Sequence, residues 1–150
     1  MASLSERKAA AVARSYDDAI VIGADTIVVV DGTALGKPRD PADASRMLRN
    51  LSGRSHDVYT GFTLIDRPSN KSATAVERTG VTFRRLSEEE IGEYIASGSP
   101  MDKAGAYGIQ DDRGAVFVER IDGCFYNVIG LPLTRFYVTL REFQKQLVHS

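Results

Sequence analysis

The most continuous apolar pattern in the chain runs from Ala19 to Gly32 and is dominated by alanine, valine and isoleucine. Such a run fits a strand buried on both faces of a sheet. Two polar side chains interrupt it, Asp25 and Thr26. A carboxylate among so many β-branched neighbours loses hydration. It either caps a turn at a strand end or requires a cation, a hydrogen-bond donor or a catalytic task. Ahead of this run, Ser3 and Glu6 stand at capping-box spacing before the Ala-rich helix Arg7-Lys8-Ala9-Ala10-Ala11-Val12-Ala13. A helix so close to the first residue suggests that the start is a cut. After the run, Asp31-Gly32 turns the chain into the short segment Thr33-Ala34-Leu35, and a loop follows from Gly36 to Pro41. Asp40 suits a helix N-cap with Pro41 at the first helical position. Ala44, Met47, Leu48 and Leu51 then recur at helical spacing, and Ser52-Gly53 ends the helix.

The second half alternates in the same way. His56 to Asp66 reads as a strand, residues 67–71 as an exposed loop, and Thr74 to Leu86 as the returning strand with Gly80 as a bulge position. Ser87 and Glu90 form a second capping box ahead of a helix whose buried stripe is Ile91, Tyr94 and Ile95, closed by Gly98. A glycine-punctuated loop from Gly98 to Gly114 precedes the strand Ala115 to Ile121. Asp122-Gly123 turns the chain toward residues 126–130, and Pro132 opens a terminal helix through Phe136, Leu140, Phe143 and Leu147. Strands and helices intermix without repeats. The expectation is one α/β domain over residues 1–150, with a mixed sheet packed between helices.

Charge and cysteine content narrow the function. With 19 basic and 20 acidic residues, nothing suggests a nucleic-acid polymer or an anionic membrane as partner. The single cysteine, Cys124, excludes an internal disulfide and suits a reducing cytosol, so a cytoplasmic location is expected. No apolar run approaches the ~20 residues that a membrane span needs.

A second informative stretch is the loop Pro100 to Gln110. Its small residues allow a backbone to approach a ligand, and Asp102, Lys103, Tyr107 and Gln110 supply several kinds of polar group. Gln110 carries an acceptor and two donors, suited to reading the edge of a base. The same loop could equally be a plain connection between helix and strand. Lys8, Lys37 and Lys103 are either solvated surface charges or point charges converging on phosphate oxygens. Arg54 and His56 could stand near the same cleft, and His56 reads as structural. Nucleotide-binding glycine loops, the metalloprotease His-Glu-x-x-His and the Gly-x-Ser-x-Gly elbow are all missing from the sequence. One cysteine and two histidines make a Cys/His zinc site improbable. Acid, lysines and amide suit metal-assisted phosphoryl chemistry better than acyl transfer.

Five motifs occur in order: Ala24-Asp25-Thr26, Gly36-Lys37-Pro38, Leu51-Ser52-Gly53-Arg54-x-His56-x-Val58-x-Thr60-Gly61, residues 102–110, and Asn127-Val128-x-Gly130-Leu131-Pro132. Together they resemble the Maf family of nucleoside triphosphate pyrophosphatases, from about Lys8 to the last helix. The resemblance implies a fold similar to Maf and inosine triphosphate pyrophosphatases. It also implies a hydrolase that uses a divalent cation, Mg²⁺ or Mn²⁺, to split a nucleotide into monophosphate and pyrophosphate, and a homodimer. Asp25 falls on the family's proton acceptor, and could also hold the metal. Thr26 and Gln110 fall on positions that go with base selection and look like the branch acting on dTTP and UTP. Lys8, Lys37, Asp102 and Lys103 match polar positions of the pocket. The family's first strand and its Ser-x-Ser-Pro-Arg-Arg phosphate loop have no counterpart here, so the chain resembles an N-terminally truncated Maf domain. The alternatives are a non-catalytic fragment that binds nucleotide or protein, and a pyrophosphatase for another modified nucleotide.

Overall fold

The computed structural model describes residues 2–111 and 113–149. Its centre is a five-stranded sheet in the order β2-β1-β3-β4-β5, formed by β1 (Ala19–Val30), β2 (Thr33–Leu35), β3 (Ser55–Arg67), β4 (Ser72–Phe83) and β5 (Val118–Asp122). The helices are α1 (Ala2–Ala13), α2 (Pro41–Leu51), α3 (Glu88–Ala96), α4 (Phe125–Ile129) and α5 (Leu133–His149). The α/β class stands as expected. The pairing inside the sheet differs from a mixed one, because all four strand pairs are antiparallel. Periodicity fixes which residues form strands, not which strands become neighbours or how they run.

The two local helix signals work as written. Asp40 caps α2 by accepting a hydrogen bond from Asp43 N at 2.7 Å. Ser87 and Glu90 close their reciprocal box at 3.0 and 3.1 Å. Ser3 does not act as a cap, since it lies inside α1. Gly80 sits in register opposite Asp57, and the irregularity of β4 falls at Thr82/Phe83 instead. Residues 126–129 belong to the short helix α4.

Neighbours across an antiparallel sheet share a face, and successive residues on one strand do not. One face carries Val21, Gly23, Asp25 and Thr63, and α1 packs there. The fit is close: a Cβ at Gly23 would stand 2.5 Å from both Ala9 N and Ser5 O. Glycine lets the helix backbone rest directly on the strand. Ser5 is buried beneath it, bonded to Thr63 Oγ1 at 2.8 Å. The other face carries Thr26, Val28, Val58, Thr60 and Phe62. Val28, Val58, Val81 and Phe83 build the main core there with Leu48, Leu51, Ile91 and Tyr94 from α2 and α3. His56, Phe83 and Tyr107 meet edge to face, with ring centroids 4.7–5.3 Å apart.

Candidate active site

A cleft of about 270 Å³ opens on this second face. Its floor is the middle of β1 and β3, its walls the loop from Lys103 to Asp111 and the end of α4. Thr26, Lys37, Lys103, Tyr107 and Gln110 line it, joined by Asp111 and by the apolar Val28, Val58 and Val128. The structure therefore gathers four of the sequence-predicted residues in one place: Thr26, Lys37, Lys103 and Gln110. The wall is held close to the floor by a residue in left-handed conformation. Gly105 has φ +73° and donates its N–H to Gly36 O, and its Cβ position lies 3.0 Å from Val28 Cγ2.

Asp102 is not among the residues that line the cleft. It is largely exposed and pairs with Lys103 Nζ at 3.1 Å, a hydrogen bond that holds its carboxyl below the usual carboxylate range. The Lys103 ammonium also donates to Ser99 O at 2.7 Å and lies 3.8 Å from Asp111 Oδ2. Asp111 in turn accepts from Tyr94 OH at 2.5 Å, and Tyr94 OH accepts from Gly108 N at 3.0 Å. Burial, and after it the bond to Asp111, pushes the Tyr94 phenol up, so it stays a neutral donor. Tyr94 thus ties the loop to α3 at two points.

Asp25 and Lys8 lie across the strand from this cleft. Lys8 Nζ approaches Asp25 Oδ1 at 3.1 Å and Ala24 O at 3.3 Å. The Asp25 side chain is 15% exposed and that of Lys8 50%, so α1 brings to the half-buried carboxylate the cation that its setting demands. Arg54 turns away, paired with Asp31 and bonded to Asn50. His56 sits behind the cleft wall rather than in it, its Nε2 2.6 Å from Tyr107 OH. Burial lowers its pKa to about 4 and keeps it neutral, in line with a structural role.

Three polar residues, Asp111 in the cleft wall and Thr60 and Asn127 buried beneath it, escaped the sequence reading. Asp111 stands one position beyond the motif that ends at Gln110. Thr60 reads as an ordinary β-branched strand residue, yet its hydroxyl is fully buried and lies 2.8 Å from Thr26 Oγ1. Asn127 is fully buried as well, and its Nδ2 is within bonding distance of Val58 O, Glu77 O and Thr79 Oγ1. Their signal was present, since Thr60 and Asn127 both belong to motifs quoted above, but a motif does not say which polar group it serves.

The pattern of a family described as Maf-like protein matches residues 1–143. The chain is 52% identical over 141 residues to a protein of Carboxydothermus hydrogenoformans named dTTP/UTP pyrophosphatase, covering 94% of this chain and 75% of that one. It is 54% identical over 148 residues to a protein of that name from Salinibacter ruber, covering 99% and 72%. A third so named, from Bacillus cytotoxicus, is 49% identical over 148 residues, covering 99% and 76%.

Proposed function

Because the chain belongs to the Maf family, we propose that it is a nucleoside triphosphate pyrophosphatase that converts dTTP and UTP to the monophosphate and pyrophosphate. The observation that carries this reading onto the structure is the convergence of Thr26 and Gln110 with Lys37 and Lys103 in one cleft. The base lies against Val28, Val58 and Val128, with its polar edge toward Thr26 and Gln110. The lysines stand where they can balance phosphate charge. Asp25 is on the opposite face of β1, but the strand is open beside it. β2 pairs only with Val28–Val30, so among the described residues the edge beside Asp25 has no strand partner. In this reading the phosphate chain extends from the cleft toward Asp25 and Lys8. Asp25 accepts a proton from water as the oxygen bonds to the α-phosphorus; the bond to the bridging oxygen breaks and pyrophosphate leaves.

A divalent cation fits this donor set in one respect. Mg²⁺ and Mn²⁺ suit sites built from one or two carboxylates plus substrate phosphates, and Asp25 offers one carboxylate. No cluster of three or more acidic, histidine or cysteine side chains able to hold a metal occurs among the described residues; beside Asp25, substrate phosphates and water would complete the coordination. When bound, the cation would offset the negative charge of the phosphates. Among the described residues no helix is long and apolar enough to cross a membrane, and the lone Cys124 supports a reducing, cytoplasmic setting.

The test is pyrophosphate release from a nucleotide panel, with Mg²⁺ or Mn²⁺ supplied in turn. dTTP and UTP should outrun dATP, GTP and 7-methyl-GTP. A panel led by purine nucleotides would overturn the proposed base selection.

A further inference from the structure

We propose that Thr60 is a positioning residue that fixes the polarity of the Thr26 hydroxyl, so that the cleft favours uracil or thymine over cytosine. The inference deepens the function proposed above and rests on its placing the base at Thr26. A threonine hydroxyl carries one proton and two acceptor lone pairs, so its role depends on where that proton goes. Thr60 Oγ1 has two polar neighbours, Thr26 Oγ1 at 2.8 Å and the Asn127 carbonyl oxygen at 3.3 Å. A carbonyl oxygen can only accept, so both contacts form hydrogen bonds at once only when the Thr60 proton points to Asn127. The bond between the two hydroxyls must then be donated by Thr26. With its proton committed inward, Thr26 offers the cleft only lone pairs.

That polarity discriminates between pyrimidines. Uracil and thymine carry an N–H donor at N3, whereas cytosine carries a lone pair there. A Thr26 that can only accept matches the first and opposes the second. Gln110 cannot make the same distinction, because its side chain is exposed and its amide can present either its oxygen or its nitrogen. The anchor of the relay is rigid. The Asn127 side chain spans β3 and β4 through Val58 O at 3.1 Å, Glu77 O at 3.2 Å and Thr79 Oγ1 at 3.0 Å. The preference is graded rather than absolute. The Asn127 carbonyl also accepts from Gly130 N at 3.1 Å, so reversing the relay for cytosine gives up only the longer bond from Thr60. One neutral hydrogen bond of this kind corresponds to roughly a fivefold difference in affinity.

The experiment measures dissociation constants for UTP and CTP by titration without metal, so that binding is read apart from turnover. Wild type should bind UTP about fivefold more tightly than CTP. Thr60→Val keeps the shape, removes the relay and frees the Thr26 proton, so its ratio should fall toward one. Thr60→Ser restores the hydroxyl and should recover the wild-type ratio, which a merely structural role would not require. A Thr60→Val protein that melts normally and still discriminates as wild type does would overturn the relay while leaving the pyrophosphatase reading intact. Equal binding of UTP and CTP by wild type would also overturn it. Hydrolysis could fail with the binding ratios as expected, and that result would count against the enzyme reading alone. If Thr60→Val does not fold, Thr60→Ala is titrated in its place. A UTP-to-CTP ratio near one supports the relay, and the wild-type ratio overturns it.

Discussion

Asp25→Asn separates charge from shape at the carboxylate that pairs with Lys8 of α1. The amide oxygen can still accept from Lys8, so the contact at 3.1 Å survives while the charge and most of the proton affinity go. Turnover should drop at least ~100-fold, the lower range for losing a general base, with the melting temperature nearly kept. Near-normal turnover would reassign Asp25 to structure and move the search to Asp102 and Asp111. His56 makes a second prediction at this scale. Its folded-state pKa of about 4 lies below the ordinary 6.5, because burial disfavours the imidazolium, and its Nδ1 has no partner among the described residues. The unfolded chain therefore binds the extra proton first as pH falls. Stability from this group is fully present above pH ~6.5, declines between there and pH ~4, and by then has lost about 3 kcal/mol. Urea midpoints measured across that window should show the decline. His56→Gln, which can still reach Tyr107, should flatten it.

Among the elements, α1 and β1 are the pair on which the proposed proton acceptor depends. Gly23→Ala would force a methyl into the helix backbone at Ala9 and Ser5, and overpacking of this kind costs about 1–3 kcal/mol. Denaturant unfolding should show that loss, and turnover should fall with it, because a lifted α1 carries Lys8 away from Asp25. A variant as stable as wild type would mean that the helix shifts freely. This scale also shows what could be read from residues alone. The Asp40 cap and the Ser87–Glu90 box were legible because the bonding groups lie within three positions of each other. The cleft residues Thr26, Lys37, Lys103 and Gln110 were legible as a set only through motifs in order, since nothing local says that a lysine after β2 meets a loop after α3. The opposition of Asp25 and Thr26 across one strand follows from alternation, yet which face becomes the cleft is decided by α1 and Gly23. The Thr60 relay was hidden because a buried hydroxyl and a buried methyl look alike in a β-branched run.

For the whole molecule, the sheet lies between α1 on one face and the remaining helices on the other, and one flank stays apolar and open. Phe125, Tyr126, Leu133, Tyr137 and Val138, from α4 and α5, are each at least 45% exposed. A set of large apolar side chains on one flank favours self-association. Sedimentation at micromolar concentration should show a dimer or larger species, and a clean monomer would count against this expectation. Tyr137→Glu, at a residue that does not line the cleft, should shift the population toward monomer.

The order of the strands also bears on time. β3 and β4 are joined by residues 68–71, whereas β1 reaches β3 only after β2 and α2 have been spanned, with Ala19 opposite Arg67. Short loops close before long ones, so the hairpin should precede the arrival of β1. Since β1 brings Asp25 and Thr26 into place together, a chain that has not yet docked it has neither the proposed base reader nor the proposed proton acceptor. Nucleotide can then hold back unfolding but cannot hasten refolding. In stopped-flow experiments, UTP should slow the unfolding limb and leave the refolding limb unmoved, whereas accelerated refolding would place β1 in the folding nucleus.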